Sequence, residues 1–301
     1  MSQFSPRIIF LLGIPALLWA GNAVVGRMMV GTISPILFNT VRWALAGLIL
    51  LPFGWRALKS GSPLWGLKGR FALMGLLGIG CYNTFQYLAL QTSTPINVTL
   101  IGASMPVWSL LIGAFMYQEI PGGRQMLGAF ISLLGVAIVL SRGELGALWQ
   151  VKFVIGDLFM LLAVILWGVY SWMLSRPGAS SERTWDWTEF LLAQIAFGLA
   201  WSFLFTGVEI TKETLHFEPS LWAWALILYV AIGPAIIAYR CWSLGVQTVG
   251  ANVAAFVGNL IPLFAALMSA ALLGEMPQIY HGIAFILIVC GIALSFKKAQ
   301  R

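Results

Sequence analysis

Two stretches of sixteen residues, PVWSLLIGAFMYQEIP at 106–121 and PLFAALMSAALLGEMP at 262–277, share one pattern. Each begins with a proline inside an apolar run, carries a glutamate thirteen positions later and ends on a second proline. The stretches are 156 positions apart, and Gly135 and Gly291 keep that separation. The pattern indicates that the chain contains the same structural unit twice.

Shorter matches near the start of each half support this internal repeat. Residues 18–21 (LWAG) resemble residues 166–169 (LWGV) at a separation of 148 positions. Gly80 matches Gly233 at a separation of 153 positions. The changing separation indicates insertions of a few residues between the matching blocks.

The composition excludes most classes of soluble protein. Of the 301 residues 60% are apolar and 9% are charged, whereas a soluble domain carries roughly 25% charged residues. With a mean hydropathy of +0.90, these values exclude an ordinary soluble enzyme, a disordered chain and a nucleic-acid-binding domain, and they favour a polytopic membrane protein. The net charge of +7 does not imply nucleic acid, because the basic residues lie at the ends of apolar runs, as membrane topology requires.

Apolar runs bounded by charged or turn residues predict ten transmembrane helices, each near the ~20 residues that span a bilayer. The predicted helices are residues 8–29, 34–55, 70–92, 96–118, 123–141, 153–174, 187–206, 220–241, 249–273 and 277–297. Five lie in each repeat, which we set at residues 1–147 and 148–301. Because five is odd, the second repeat would be inverted relative to the first, as is typical of secondary transporters. The predicted fold is an all-α membrane protein of two inverted five-helix repeats around a central cavity.

The basic residues also predict the orientation of the helices. Twelve Lys and Arg residues lie at one set of helix ends and four at the opposite set. Since short loops rich in Lys and Arg stay in the cytoplasm, both termini are expected there, in a multi-pass protein of the cell inner membrane. Tryptophans near the helix ends, such as Trp55 and Trp222, agree with these boundaries because the amphipathic ring suits the headgroup layer.

The same chain resembles the drug/metabolite transporter superfamily, in its EamA-type ten-helix branch. The resemblance covers nearly the whole chain and rests on Leu88, Ala89, Leu90, Pro106, Glu119, Gly135, Ala251, Pro262, Gly274, Glu275 and Gly291. It implies a ten-helix basket with a central cavity lined by both repeats. The abundance of Trp and Tyr within the helices is similar to that of aromatic-amino-acid exporters of the YddG type, which implies export of amino acids.

Polar and aromatic side chains inside the predicted helices are the candidate substrate-binding residues, because a polar group within a membrane usually faces the protein interior or a wet cavity. The candidates are Trp19, Asn22, Tyr82, Asn83, Gln86, Trp108, Trp167, Tyr170, Tyr239, Asn252 and Asn259. Together they predict an aromatic cavity with a few amide and hydroxyl groups, which suits a small amphipathic solute. The alternative interpretation is that the amides only join neighbouring helices through hydrogen bonds.

Four charged residues are candidates for gating or for coupling to an ion, namely Arg42, Asp157, Glu189 and Arg240. Arg42 lies about two turns into the second helix with no acidic partner visible in the sequence. It would extend to the membrane surface or bind a substrate carboxylate, and a structural role is preferred. Asp157 or Glu189 could carry a proton, although both lie near a helix end. Glu119 is expected to pair with Arg124.

The predicted function is export of small amphipathic metabolites, foremost amino acids, by alternating access. The alternative is proton-coupled efflux of lipophilic or cationic drugs. A membrane enzyme is disfavoured, because neither His216 nor His281 has a ligand or catalytic partner at a suitable spacing and the chain has no Gly-rich nucleotide loop. We therefore expect no catalytic residue, metal or cofactor.

The expected partners are the small-molecule substrate and the lipid bilayer, with no nucleic acid. Gly128 and Ser132 have the small-xxx-small spacing of closely packed membrane helices. This spacing more often marks packing within a chain than a dimer contact. The chain is accordingly expected to be a monomer or a weak homodimer.

Overall fold

The computed structural model describes residues 6–93, 95–141, 144, 146, 154–178, 185–273 and 278–295. Across these residues the regular secondary structure is helical, apart from one isolated antiparallel bridge between Ile33 and Phe217. Six of the described helices are long and apolar enough to cross a membrane: Phe10–Met28, Pro35–Leu58, Ile155–Ser175, Trp187–Thr211, Leu221–Val249 and Ala251–Leu272. The prediction of an all-α chain with several membrane-spanning helices is confirmed.

The described helices form ten rods, which we number in chain order. They are α1 (Pro6–Met28), α2 (Pro35–Gly54), α3 (68–92), α4 (95–117), α5 (Gly123–Leu140), α6 (Ile155–Ser175), α7 (Trp187–Thr211), α8 (Leu221–Val249), α9 (251–273) and α10 (Ile279–Ser295). Two 3-10 helices, Trp55–Leu58 and Pro63–Leu67, connect α2 to α3. The bounds differ most from the prediction at α7 and α8, which continue well past residues 206 and 241. Gly250 ends α8 with a φ of +85°, a conformation that glycine adopts without strain.

Two rods contain a π-helical segment at similar places in the two halves. The segment covers Leu76–Cys81 in α3 and Ala231–Ile237 in α8. Pro234 lies inside the second segment, where its missing N–H and its bulky ring disturb the regular hydrogen-bond pattern of an α-helix. Neither segment was predicted from the sequence.

Two other rods are interrupted at matching places. α4 is divided into Pro95–Gly102 and Met105–Tyr117, and α9 into Ala251–Gly258 and Ile261–Leu273. In both, a proline is the second residue of the new helical piece, where a missing N–H costs no hydrogen bond. The two repeated stretches therefore begin at helix breaks, although residues 274–277 of the second stretch lie outside the described residues.

Helix packing follows the same correspondence when α1–α5 are matched with α6–α10. α5 packs on α10 and α2 packs on α7, so in both cases a helix contacts its own counterpart. The contacts of α6 with α3 and α4 are matched by those of α1 with α8 and α9. The two halves thus interlock, and neither forms a separate bundle.

α5 and α10 approach each other closely at two glycines. A Cβ added to Gly128 would lie 2.6 Å from the carbonyl oxygen of Gly291, and a Cβ added to Gly291 would lie 2.6 Å from that of Gly128. Ser132 lies beside Gly291 and Ser295 beside Gly128, so the two helices run antiparallel. The spacing of Gly128 and Ser132 predicted such close packing, and the structure identifies the partner helix.

Candidate functional site

A cluster of aromatic side chains lies in the core where α1, α6 and α8 meet. It contains Trp19 of α1, Trp167 and Tyr170 of α6, and Tyr239 and Trp242 of α8, all of them buried. Ring centroids are 5.2 Å apart for Trp19–Trp167, 5.2 Å for Trp19–Trp242 and 5.3 Å for Trp167–Tyr239, in edge-to-face arrangements. Such pairs stabilise a core beyond the effect of burial. Trp242 was not predicted, although it lies three residues after Tyr239 and so on the same helix face.

Neighbouring helices hold this cluster in place. The ring of Tyr82 on α3 contacts Trp167, with centroids 4.7 Å apart. The Trp19 indole N–H donates a hydrogen bond of 3.1 Å to the carbonyl oxygen of Pro234, in the π-helical segment of α8. Trp19 and Trp167, which the repeat places at equivalent positions, therefore meet in the middle of the molecule.

One crevice leads to the cluster between α6, α7 and α8; we call it the α7–α8 crevice. It encloses about 280 Å³, near the lower end of the range for small-molecule sites. It is lined by Tyr170, Trp185, Asp186, Trp187, Phe190, Leu191, Gln194, Tyr239, Arg240, Ser243, Leu244 and Gln247. Asp186 at its mouth is exposed, the Arg240 guanidinium lies 5.2 Å from the centroid of the Trp187 ring, and the Tyr170 hydroxyl donates to Gln194 Oε1 at 2.8 Å. The crevice thus combines aromatic walls with a cation and ends on Tyr170 and Tyr239.

A much smaller cavity, the α1–α6 cavity, lies on the other side of the cluster. Its volume is about 20 Å³, enough for roughly one water molecule. It is lined by Trp19, Tyr82, Gln86, Thr99, Gly102, Met105, Met160, Val164, Trp167 and Ile261. Along α6, Met160 and Val164 face this cavity while Tyr170 faces the crevice. The aromatic cluster therefore separates the two spaces.

A second crevice of about 410 Å³ lies at the same end of the bundle as the first. It is lined by Glu119, Gln125, Trp172, Ser175, Arg176, Pro177, Val246, Gln247, Val249, Gly250, Ala251, Asn252, Val253 and Ser295. Asn252 Oδ1 accepts a hydrogen bond of 2.8 Å from Ser109 Oγ. The predicted pairing of Glu119 with Arg124 is wrong: Glu119 pairs with Arg176, because the end of α6 lies beside the end of α4.

A polar network beside the aromatic cluster is centred on Arg42 of α2. The residue is fully buried, so Arg42 does not extend to the membrane surface, the first alternative considered for it. Its Nη1 donates to Asn22 Oδ1 at 3.0 Å, to Asn83 Oδ1 at 3.0 Å and to the Tyr87 hydroxyl at 2.5 Å. Its Cζ lies 5.2 Å from the centroid of the Trp43 ring, an arrangement that favours a cation.

The network reaches both spaces described above. Asn22 Nδ2 donates to Gln86 Oε1 at 2.8 Å, and Gln86 lines the α1–α6 cavity. Asn83 Nδ2 donates to the Tyr239 hydroxyl at 3.2 Å, and Tyr239 lines the α7–α8 crevice. Eight of the predicted substrate-binding residues therefore form one connected centre with the predicted charged residue Arg42: Trp19, Asn22, Tyr82, Asn83, Gln86, Trp167, Tyr170 and Tyr239.

Other predicted residues lie elsewhere. The Trp108 indole N–H donates to Ser104 Oγ of its own helix at 3.1 Å. Asn259, at the break of α9, donates through Nδ2 to Ser132 Oγ on α5. These two side chains fit the alternative interpretation, in which polar groups fix helices and helix breaks.

Of the remaining charged candidates, one lines a cavity. The Asp157 carboxylate accepts hydrogen bonds from Ser93 Oγ at 2.5 Å and from Val154 N at 2.9 Å, so it stabilises the start of α6. Glu189 lies in the first turn of α7 and is partly exposed. Neither residue lines the three spaces described here, whereas Arg240 lines the α7–α8 crevice.

The end of the bundle opposite the crevices is held together by Glu209 of α7, which the sequence analysis missed. Its buried carboxylate accepts hydrogen bonds from Ser34 Oγ at 2.8 Å, from Ile36 N at 2.8 Å and from Leu37 N at 3.0 Å. The isolated backbone bridge described above lies beside it. An acidic residue near the end of an apolar helix predicts an exposed side chain, so the sequence carried no signal for this contact.

Apolar helices around a buried polar centre are compatible with a membrane transporter, and comparison with known proteins identifies the family. The sequence profile of the EamA-like transporter family matches residues 6–141 and again residues 154–297. The chain therefore belongs to the EamA-like transporter family, within the drug/metabolite transporter superfamily, and is not an enzyme.

Several relatives match almost the whole chain. A protein of Archaeoglobus fulgidus, described as an uncharacterized transporter, is 26% identical over 97% of this chain and 98% of its own length. The aromatic amino acid exporter YddG of Ancylobacter novellus is 24% identical, with 100% of both chains covered. The uncharacterized inner membrane transporter YedA of Escherichia coli K12 is 25% identical over 92% and 87%. A protein crystal structure with 23% identity has a TM-score of 0.70 over 97% of both chains, which shows the shared fold.

Proposed function

We propose that the protein exports small amphipathic metabolites, amino acids including aromatic ones, across the inner membrane by alternating access. The observation that carries this proposal is the α7–α8 crevice, which leads to Tyr170 and Tyr239 of the aromatic cluster. Its aromatic walls and Arg240 suit a solute with an apolar body and an anionic or zwitterionic head. The name of the A. novellus relative supports the same class of cargo.

The proposed architecture is ten transmembrane helices in two inverted repeats, residues 1–147 and 148–301. The two matches to the family profile support it. So do the paired π-helical segments, the paired helix breaks and the exchange of helix contacts between the halves. An odd number of helices in each repeat then requires the inversion.

Alternating access would use the difference between the two ends of the bundle. In the predicted orientation, with both termini in the cytoplasm, the α7–α8 crevice faces the cytoplasm. The Glu209 contacts would close the periplasmic end, and the aromatic cluster would separate the crevice from the α1–α6 cavity. This is the arrangement expected of an exporter that is ready to take up cargo from the cell.

The charges favour amino acids over the alternative cargo, a lipophilic or cationic drug. A proton-coupled cation exporter needs a carboxylate that can face its cavity. Asp157 stabilises a helix start, Glu189 lies outside the three described spaces, and Asp186, the carboxylate that lines the α7–α8 crevice, is exposed at its mouth and caps α7. The charged groups nearest the aromatic cluster are the guanidinium groups of Arg42 and Arg240, which repel cations.

The test is counterflow exchange in proteoliposomes. Separate vesicle preparations are loaded with unlabelled Trp, Phe, Thr or a lipophilic cation, and uptake of the same labelled solute is followed without a pH or ion gradient. Trp167→Ala is expected to lower Trp exchange about tenfold or more, as for the loss of a central aromatic contact. Trp222→Ala is the matched control, because Trp222 is 62% exposed in the first turn of α8, and it should keep exchange within about twofold.

Each outcome decides between cargo classes. Exchange of Trp or Phe that falls in Trp167→Ala but not in Trp222→Ala supports the proposal. Exchange of the lipophilic cation alone supports drug efflux and overturns the amino-acid assignment. If folded wild-type protein exchanges none of these solutes, the proposed function is wrong.

A further inference from the structure

The buried guanidinium of Arg42 uses its three nitrogens unequally. Nη1 alone is within hydrogen-bond distance of the three protein oxygens, on Asn22, Asn83 and Tyr87. Nε and Nη2 are buried and have no hydrogen-bond partner among the described residues. The network therefore holds Arg42 by one nitrogen.

The two unpartnered nitrogens share one edge of the planar guanidinium. Nη1 lies on the side of the Cδ atom, so Nε and Nη2 point their N–H groups in the same direction. Such an edge donates two parallel hydrogen bonds to the two oxygens of a carboxylate. The guanidinium therefore has its protein partners at Nη1, while the buried edge that matches a carboxylate has none among the described residues.

The charge of Arg42 also lacks a counterion. No ion pair to Arg42 is present in the described part of the chain, and the oxygens around Nη1 belong to two amides and a phenol. A buried, unpaired cation inside a membrane protein is costly and is usually found at functional positions. An anion that arrives with the cargo would offset this cost.

The position of Arg42 between the two spaces fits such a role. Asn83 connects it to Tyr239 at the end of the α7–α8 crevice, and Asn22 connects it to Gln86 in the α1–α6 cavity. One side chain therefore separates the guanidinium network from each space. Movement of Tyr239 would expose the network around Arg42 to the α7–α8 crevice. Movement of Gln86 would expose the same network to the α1–α6 cavity.

We propose that the Nε–Nη2 edge of Arg42 binds the carboxylate of the transported amino acid midway through the protein. This inference rests on the proposed function and deepens it. Arg240 lies at the entrance of the path, whereas Arg42 lies at its centre. Amino-acid cargo with a free carboxylate is selected over its amide because a carboxylate offers one charged oxygen to each N–H group, whereas a carboxamide offers a single neutral oxygen.

The test compares two competitors that differ only at the carboxyl group. Counterflow of labelled Trp is inhibited with unlabelled L-tryptophan or with L-tryptophanamide, whose α-amine and ring are unchanged. The amide should inhibit about 10- to 100-fold more weakly in the wild-type protein, as expected for the loss of hydrogen bonds between charged groups. In Arg42→Lys, which keeps the charge but loses the two-nitrogen edge, and in Arg42→Gln, this ratio should fall towards one.

The control is Arg27→Lys. Arg27 is exposed near the end of α1, where Nη1 donates to the Leu90 carbonyl oxygen at 2.8 Å, so the ratio should be unchanged. Arg240→Gln should slow exchange but keep the ratio. If both Arg42 variants fail to fold, the ratio in the wild-type protein and in Arg240→Gln still decides, because equal inhibition in wild type or loss of the ratio in Arg240→Gln overturns the inference.

Three results would overturn the inference. Equal inhibition by L-tryptophan and its amide in an active wild-type protein rules out carboxylate recognition but leaves amino-acid export intact. A ratio that is lost in Arg240→Gln and kept in Arg42→Lys moves the carboxylate site to the crevice entrance. Equal inhibition together with slower exchange after replacement of chloride by sulfate assigns the edge to an inorganic anion. No exchange of any amino acid removes the proposed function itself.

Discussion

α2 and α7 occupy matching positions in the two halves, yet only α2 carries a buried charge in the polar centre, since the buried Glu209 of α7 lies near the end of that helix. Arg42 of α2 donates to Asn22 of α1 at 3.0 Å, and at the matching positions Gln194 of α7 accepts from Tyr170 of α6 at 2.8 Å. The separations of 152 and 148 positions are those of the two helix starts and of the two central tryptophans. The repeat determines where a hydrogen bond links two helices, and the residue type determines whether that hydrogen bond involves a charged group.

The starts of the same two helices differ as well. The first turn of α2 is capped from a distance by Glu209, on α7. The first turn of α7 is capped locally, because Asp186 accepts from Thr188 N at 2.8 Å and from Thr188 Oγ1 at 2.5 Å. A distant cap ties two helices together, whereas a local cap adds no link to a neighbouring helix. The distant cap lies at the end of the bundle opposite the two crevices.

The largest expected effect distinguishes the Arg42–Asn22 contact from its counterpart, the Gln194–Tyr170 contact. Arg42→Met removes the donor shared by Asn22, Asn83 and Tyr87, and it is expected to lower Trp exchange about 100-fold or more, as for disruption of a buried charged network. Gln194→Met removes two neutral hydrogen bonds, one accepted from Tyr170 and one donated to the Phe190 carbonyl oxygen, and should lower exchange about tenfold or less. Initial counterflow rates, normalised to folded protein, measure both. Equal losses would show that the two halves contribute in the same way.

A second prediction concerns the contact between α5 and α10, to which the two halves contribute equivalent glycines. Gly128→Ala and Gly291→Ala each place a Cβ 2.6 Å from a carbonyl oxygen of the opposite helix. Each should destabilise the protein by about 1–3 kcal/mol, since the backbones must separate. Gly282→Ala on α10 is the control, because no described atom lies within 4 Å of a Cβ there. Thermal unfolding in detergent is the measurement, and a loss in only one glycine variant would contradict the reciprocal contact.

The third prediction tests the distant cap. Glu209→Gln should weaken the link between α2 and α7, and loss of a cap of about 0.5–2 kcal/mol corresponds to roughly 2- to 30-fold more frequent opening at that end. A cysteine placed at Ile33, in a protein with Cys81, Cys241 and Cys290 replaced, would then react faster with a maleimide that cannot cross membranes. Glu213→Gln, in the exposed loop beside it, should leave the labelling rate unchanged. Unchanged labelling in Glu209→Gln would show that the carboxylate does not keep this end closed.

The smallest effect concerns the local cap. Hydrogen bonds from the hydroxyl and amide of Thr188 lower the pKa of Asp186 below its ordinary value of 3.8. A carboxyl group with a lowered pKa in the folded state contributes stability that is complete above about pH 4 and is lost as the pH falls through the lowered pKa. The unfolding midpoints of wild type and Asp186→Asn should therefore differ slightly above pH 4 and converge in stronger acid. A difference that persists in acid would mean that the cap does not depend on ionisation.

Most of the fold could be predicted from the sequence, and the two largest errors in helix length share one cause. Charged residues were taken as ends of apolar helices. Arg240 does not end α8, because its guanidinium lies over Trp187 of α7. Glu209 does not end α7, because its carboxylate is held by the first turn of α2. In both cases the partner is distant in sequence, so no local pattern reports it.

The candidate centre was only partly predictable for a related reason. Spacing along α3 placed Tyr82 and Gln86 on one face, and the repeat matched Trp19 with Trp167. Periodicity identifies a polar or aromatic face of a helix but does not say which neighbour it meets. Asn259 therefore looked like a cavity residue, whereas in the structure it fixes the break of α9 to α5.

The sequence by itself determined that the chain is an apolar helical protein built from two related halves, because hydropathy, charge distribution and repeated prolines are local properties that need no knowledge of contacts. Only the tertiary structure decided which side chains share the centre. It showed that two tryptophans from different halves meet, that Glu209 joins two helices, and that Arg42 is buried with one edge free. Those facts depend on how helices far apart in sequence pack, and packing is a property of the whole molecule.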